Sequence, residues 1–172
     1  MADTTTAKAK IVGRHQRVAF MDTDETGNSP KYERMTGFTQ MTNGKNAKEY
    51  TRHYVDETAE NTDVVGYAPS VSYSFDRYTE TPVHTRIAKI HDNELLGSDA
   101  LVDVVIVDLF SGTDGTYEAR KRTYAVIPDA DGDGTDALIY TGTLKSKSEL
   151  ETGTATLSED GKIATYTKTA AE

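Results

Sequence analysis

From Ser70 to Tyr78 the chain reads SVSYSFDRY, and Val71, Tyr73 and Phe75 alternate with Ser70, Ser72, Ser74 and Asp76. Successive side chains of an extended strand point to opposite faces, so this period of two predicts a strand with one buried face. Its other face carries hydroxyls. The chain must therefore build a sheet that is covered on one side and polar on the other.

Further segments extend that sheet. Residues 10–21, KIVGRHQRVAFM, are strand-like with mixed alternation, and 21–30, MDTDETGNSP, reads as a loop or arm with Gly27, Asn28 and Pro30 as breakers. Residues 32–41 carry Met35 and Phe38 before a break at Asn43-Gly44. Asp99 to Phe110 is apolar on both faces around Val104 to Val107, which predicts a central strand. Tyr117–Ile127, Leu138–Lys147 and a hairpin from Thr152–Leu157 to Lys162–Lys168 complete the set.

One helix interrupts the strands. Thr81 stands at a capping position, Pro82 suits the first helical residue, and Val83, Ile87 and Ile90 repeat at helical spacing. That narrow stripe predicts a helix on the flank of a sheet, over about 82–92. Strands, one helix, then more strands predict a mainly β fold, a β-sandwich or half-barrel with one flanking helix. Between them lies a long polar segment, about 42–62, expected as a loop. The length of 172 residues fits a single domain over 10–168, divided into an N-terminal arm and first strand (1–30) and a β domain (31–172).

Charge and composition narrow the function. The net charge is −9, the opposite of what phosphate neutralisation requires, so tight nucleic-acid binding is not expected. Without cysteine, disulfides, thiolate nucleophiles and Cys-ligated zinc are excluded. MADTTTAKAK has no apolar run, so no signal peptide is expected, and no apolar stretch is long enough for a membrane-spanning helix.

The sharpest local motif is PDADGDGTD at 128–136. Asp129, Asp131, Asp133 and Gly134 match the first half of a calcium-binding loop, where oxygen ligands at this spacing wrap a hard cation. Tyr140 stands where a bidentate Glu is expected, and the flanks read as strands. Two readings stay open: a solvated glycine-rich turn, and a calcium loop in a β-sandwich binding module. His84 and His91 are seven residues apart, roughly 10 Å along a helix, too far to share a metal without other ligands. All four histidines are expected at the surface.

No G-x-S-x-G, phosphate loop or dinucleotide fingerprint occurs, and no carboxylate pair stands out, so no enzyme activity is expected. Arg120-Lys121-Arg122 alternates faces on a strand, which suits ion pairing rather than a phosphate-binding surface. The segment 42–62 combines Lys45, Lys48 and Arg52 with Asp56, Glu57 and Glu60, and Tyr50 and Tyr54 are of the type enriched at interfaces. It reads either as a mobile loop or as an arm ordered against a neighbouring subunit.

Taken in order, several phrases resemble the major tail tube proteins of tailed bacteriophages. They are KYERMTGFTQMTNGKNAKEYTRHYVDE at 31–57, TDVVGYAPSVSYSFDRY at 62–78, HTRIAKIHDNELLGSDA at 84–100, VDVVIVDLF at 102–110, YAVIPDADG at 124–132 and YTGTLKSKSELETGTAT at 140–156. The resemblance covers roughly 31–168 and leaves out the first thirty residues.

It implies a tail tube β domain that forms homohexameric rings, whose inner strands join into one channel-lining barrel. Rings stack into a tube through which DNA and a length-setting tape measure protein pass without tight binding. Tail-tip and tail terminator proteins are implied as partners, and a sheath protein if the tail is contractile. No membrane or cofactor is implied. The location would be the virion tail, assembled in the cytoplasm of a bacterial host. Lys45, Lys48, Tyr50, Arg52, Tyr54, Asp56 and Glu57 would then contact an adjacent subunit or ring. A DNA conduit should present few trapping cations, so Asp, Glu, Ser and Thr are expected on its lumen-facing strands.

Overall fold

The computed structural model describes residues 9–132 and 134–170. The expected arm is therefore described only from residue 9 onward. A short 3₁₀ turn at Arg14–Gln16 leads into β1 (Arg17–Asp22). There follow β2 (Tyr32–Arg34), β3 (Phe38–Gly44), β4 (Ala47–Arg52), β5 (Asn61–Tyr67), β6 (Ser70–Asp76), α1 (Pro82–Asp92), β7 (Leu101–Thr113), β8 (Thr116–Asp131), β9 (Ile139–Ser146), β10 (Glu151–Leu157) and β11 (Ile163–Lys168).

β8 organises the architecture because it is long enough to serve two layers. One edge pairs with β7 from Thr116 to Ala125. The other edge pairs with β10 over Thr116–Lys121 and then with β9 over Tyr124–Asp131. β10 continues through β11, β2 and β1 back to β7, so these strands close on themselves into a small barrel. The second half of β8 instead carries an open extension, β8-β9-β6-β3, antiparallel throughout. The half-barrel expected from the sequence is thus a closed barrel with an open sheet growing from one stave.

Asp114 and Gly115 make the two-residue turn between β7 and β8, both with positive φ (52° and 76°). That conformation matches the twist of paired strands, and an Asp-Gly pair adopts it readily. At this turn β7 runs to Thr113, past the expected end at Phe110, and β8 starts at Thr116, one residue before the expected Tyr117.

Two cores share the β7 strand. Val105 and Val107 point into the barrel with Val18, Phe20, Tyr32, Ala119, Ala155 and Ala164. Val102 and Val104 point the other way, into a cluster under α1 with Tyr73, Phe75, Tyr124, Val126, Tyr140 and Leu144. The continuous apolar run Val104–Val107 is the signature of a strand buried on both faces, as the sequence predicted.

α1 occupies the predicted span, with Pro82 first, but the Thr81 side chain makes no cap hydrogen bond. The buried face is broader than the three-residue stripe, because His84, Ala88 and His91 join Val83, Ile87 and Ile90. Here the surface expectation for histidine is overturned: His84 is 0% and His91 8% exposed. His84 stacks on Phe75 at 4.4 Å between ring centroids, its Nε2 lies 2.7 Å from the Thr36 carbonyl oxygen, and its Nδ1 accepts from the Tyr78 amide at 3.2 Å. His91 Nε2 meets the Tyr73 hydroxyl at 2.7 Å. A neutral imidazole with satisfied nitrogens behaves as an aromatic core residue, and residue type alone hid this.

Candidate assembly surfaces

The extension β8-β9-β6-β3 has one face under α1 and one bare. Cross-strand register puts Thr42, Ser72, Thr143 and Ile127 in one row of the bare face. Gln40, Ser74 and Thr141 form the next row, and Gly44, Ser70, Lys145 and Ala125 the one on the other side. Charges among the residues of β6 and β9 on this face are Asp76 and Lys145, which offset each other. The serines that alternate along Ser70–Asp76 thus form part of a wall rich in hydroxyl side chains.

Both margins of that wall are open. β3 pairs with β6 on one side, and no described strand pairs with its other side. Beyond Ala125, β8 has left β7, so Ile127–Asp131 has β9 on one side and no described strand on the other. Unpaired strand margins expose rows of backbone donors and acceptors that invite pairing with another chain.

Near one margin rises the segment expected as a loop over 42–62. Strands occupy much of it, and the tip, 53–60, is irregular: β3 runs to Gly44, and β4 and β5 pair into a separate two-stranded sheet. All of β4 is exposed, so no face is buried and no period-two apolar signal marks it. A bulge at Val65 follows the Glu49–Val64 pair.

The structure gives the seven interface candidates three locations. Lys48, Tyr50 and Arg52 share one face of β4, opposite Gly66, Asp63 and Asn61. The Arg52 guanidinium lies over the Tyr50 ring at 5.1 Å and donates to its hydroxyl. Tyr54, Asp56 and Glu57 sit in the tip between β4 and β5, where His53 Nε2 lies 2.8 Å from the Glu57 carbonyl oxygen. Lys45 stands at the hairpin base, beside a cleft. Sequence reasoning passed over Val64, Val65 and Tyr67 of β5, all more than half exposed. The doublet Val64-Val65 in a polar context was the available signal.

That cleft encloses about 300 Å³ between the hairpin base and the outer face of β7 and β8. Val104, Ile106 and Tyr124 lie along it with Arg120 and Arg122, beside Tyr67, Pro69 and Leu150. Arg120 is engaged: with Arg17 it brackets Asp108, each through a 2.5 Å contact. Burial pushes the Asp108 carboxyl up, but the hydrogen bonds from Arg17 and Arg120 outweigh it and hold it below the ordinary value. Lys121 points to the opposite face and pairs with Asp103 at 2.9 Å. The basic triplet thus divides between faces, as its alternation predicted.

The acidic motif is mostly strand. Asp129 is the bulged residue between Pro128 and Ala130, Asp131 pairs with Tyr140, and Asp133 lies outside the described residues. Tyr140, at the position where a calcium loop needs Glu, is buried and donates to Asp92 Oδ1 at 2.9 Å. Among the described residues no three His, Asp or Glu side chains gather as a metal site.

The architecture is a closed barrel bearing an open, polar-faced sheet, one flanking helix and an exposed hairpin. The fold is that of phage tail tubes. The chain is similar to the tail of an empty gene transfer agent particle with C6 symmetry, at 13% identity and TM-score 0.53 over 76% of this chain and 92% of that one. It is similar to the SPP1 tail tube at 13% identity and TM-score 0.56, over 81% and 78% of the two chains. A chain of the native gene transfer agent virion matches at 11% identity and TM-score 0.55, over 83% and 98%. No family model and no curated relative matches the sequence.

Proposed function

We propose that this chain is the structural subunit of a tail tube: six copies form a ring, and rings stack into a conduit for DNA. One observation carries the reading. The bare face of β8-β9-β6-β3 is a hydroxyl wall with two open strand margins. Pairing β3 of one copy with Ile127–Asp131 of the next is a heterologous contact, and such contacts close into a ring when the rotation permits. The likeness to a tail with C6 symmetry supports six copies.

The wall in this reading is hydroxylic rather than acidic. Ser, Thr and Gln offer weak, exchangeable hydrogen bonds to a passing phosphate backbone, and Asp76 offsets Lys145. DNA is neither trapped nor strongly repelled. Asp56, Glu57 and Glu60 lie on the hairpin tip, off this wall, while Asp129 and Asp131 stand at its β8 margin. In the particle, the tube would meet a tape measure protein, tail-tip and terminator proteins, and a sheath where the tail contracts. It would be assembled in the host cytoplasm and would reside in the virion tail.

Negative-stain microscopy of the purified protein is the test. Sixfold rings or tubes are expected. A chain that stays monomeric at high concentration, and also fails to polymerise when added to tail tips, would sink the proposal.

A further inference from the structure

We infer that the cleft beside Arg122 receives the tip of the β4–β5 hairpin of another copy of this chain, an inference that rests on the tube reading above. The cleft has an apolar floor, Val104, Ile106 and Tyr124, with Leu150 half exposed on its wall. Its charged lining residues are Lys45, Arg120 and Arg122, with no carboxylate among them. Arg120 is held by Asp108, but Arg122 Nε is buried and has no hydrogen-bond partner among the described residues. A guanidinium nitrogen sealed without a partner is costly, and a carboxylate drawn to the same cation from the cleft would offset part of that cost through its charge.

The hairpin tip has the complementary chemistry. Residues 53–60, HYVDETAE, hold Asp56, Glu57 and Glu60 and no Lys or Arg. Val55 is fully exposed and Tyr54 half exposed, so the tip offers an apolar knob among carboxylates. A valine or tyrosine side chain fits a cavity of about 300 Å³, and the neighbouring acids would reach Arg122 and Lys45.

The tip cannot fill its own cleft. Lys45 and Tyr67, at the base of the hairpin, line that cleft, and strands the length of β4 and β5 carry the tip roughly 20 Å away at ~3.3 Å per residue. The knob therefore serves a different copy. Tip into base is a head-to-tail contact, since donor and acceptor surfaces differ, and it repeats from copy to copy. It also explains why the hairpin keeps a regular paired shape although it buries nothing in its own chain: it is a spacer of fixed length.

The chain has no cysteine, so single introduced thiols report cleanly. Val55→Cys and Leu150→Cys chains are mixed, assembled and treated with a short bifunctional thiol reagent. A mixed Val55→Cys/Leu150→Cys crosslink is expected, well above either same-variant product. Alongside it, Arg122→Glu and the pair Asp56→Lys with Glu57→Lys should each raise the concentration needed for assembly by about tenfold or more, with melting temperatures unchanged. Combining the two sets of changes should recover most of that loss.

If wild-type chains assemble but the mixed crosslink does not form, the inference fails and the tube reading stands. A dominant Leu150→Cys product would put two clefts face to face and likewise overturn it. If wild-type chains do not assemble at all, both fall together.

Discussion

β7 and β4 are opposite extremes of the same secondary structure. Along β7, Val102, Val104, Val105, Val107 and Asp108 are buried, split between two cores. Along β4 every residue is exposed, and among the described residues its only strand partner is β5. The first strand is stabilised by the apolar area it removes from water within its own chain. The second has no such source in the isolated subunit, and a lone two-stranded hairpin is marginal in water. The proposed assembly would account for the contrast: the body buries its apolar residues within the chain, whereas the hairpin leaves Tyr50, Tyr54, Val55, Val64 and Tyr67 exposed.

The contrast is tested most severely in the body. Phe75 is fully buried, stacked on His84 and parallel to Tyr140 at 5.5 Å. Phe75→Ala is expected to cost about 3–5 kcal/mol, which for a domain of this size lowers the melting temperature by roughly 6 °C or more. Thermal unfolding of the unassembled subunit measures it. A loss below about 1 kcal/mol would mean that the layer under α1 is no true core.

The next effect comes from pH. Burial lowers the pKa of both His84 and His91 from the ordinary value of 6.5. Above that value the imidazoles are neutral in folded and unfolded chains alike, and pH has no leverage through them. As pH falls below it, the unfolded chain takes up protons that the folded chain resists, so stability falls. Melting temperature should drop steadily from pH 7 to pH 5. In His91→Gln, measured the same way, the slope should be shallower. An unchanged slope in variants of both histidines would show that they do not sense pH in the fold.

A smaller effect belongs to Asp108. Its carboxyl is buried, but Arg17 and Arg120 are 58% and 37% exposed and can return to water. Asp108→Asn should therefore cost on the order of 1 kcal/mol rather than the several expected when both partners are sealed from solvent. The depressed pKa sets the sign. The ion pair stabilises above the ordinary carboxylate value of 3.8 and is lost as pH falls through the folded value. Wild type and Asp108→Asn should converge in stability at strongly acid pH.

How much of this was legible follows the same division. Alternation at Ser70–Asp76, the double-faced run Val104–Val107 and the Pro82 helix start each report burial within the chain, and all three stand in the structure. Barrel closure was not legible. It depends on β8 changing partners from β10 to β9 partway along, and no residue type encodes a partner. The two histidines were misplaced because a satisfied neutral imidazole looks, as a letter, like a surface one. The hairpin looks like a loop in sequence because both its faces are exposed, which erases the period that marks a strand. Its residues were nonetheless picked out by type, charged and tyrosine-rich, a signal that belongs to interfaces rather than to cores.

The smallest expected effect on the subunit is the sharpest test of the comparison. Val55 is fully exposed at the hairpin tip, so replacing it by Ser removes no contact within the chain. Val55→Ser should change subunit stability by less than about 0.5 kcal/mol, the usual range for a surface position. If the hairpin exists for its neighbours, the same change should still slow or weaken assembly, read by sedimentation of tubes against free subunit over a concentration series. Body and arm would then separate cleanly: Phe75→Ala lowers stability in the free subunit, and Val55→Ser lowers assembly with stability intact. Equal assembly by Val55→Ser and wild type would leave the exposed valine without a purpose and remove the tip from the interface. A loss of subunit stability on this substitution would show instead that the tip packs on its own chain, and the distinction between the two regions would dissolve.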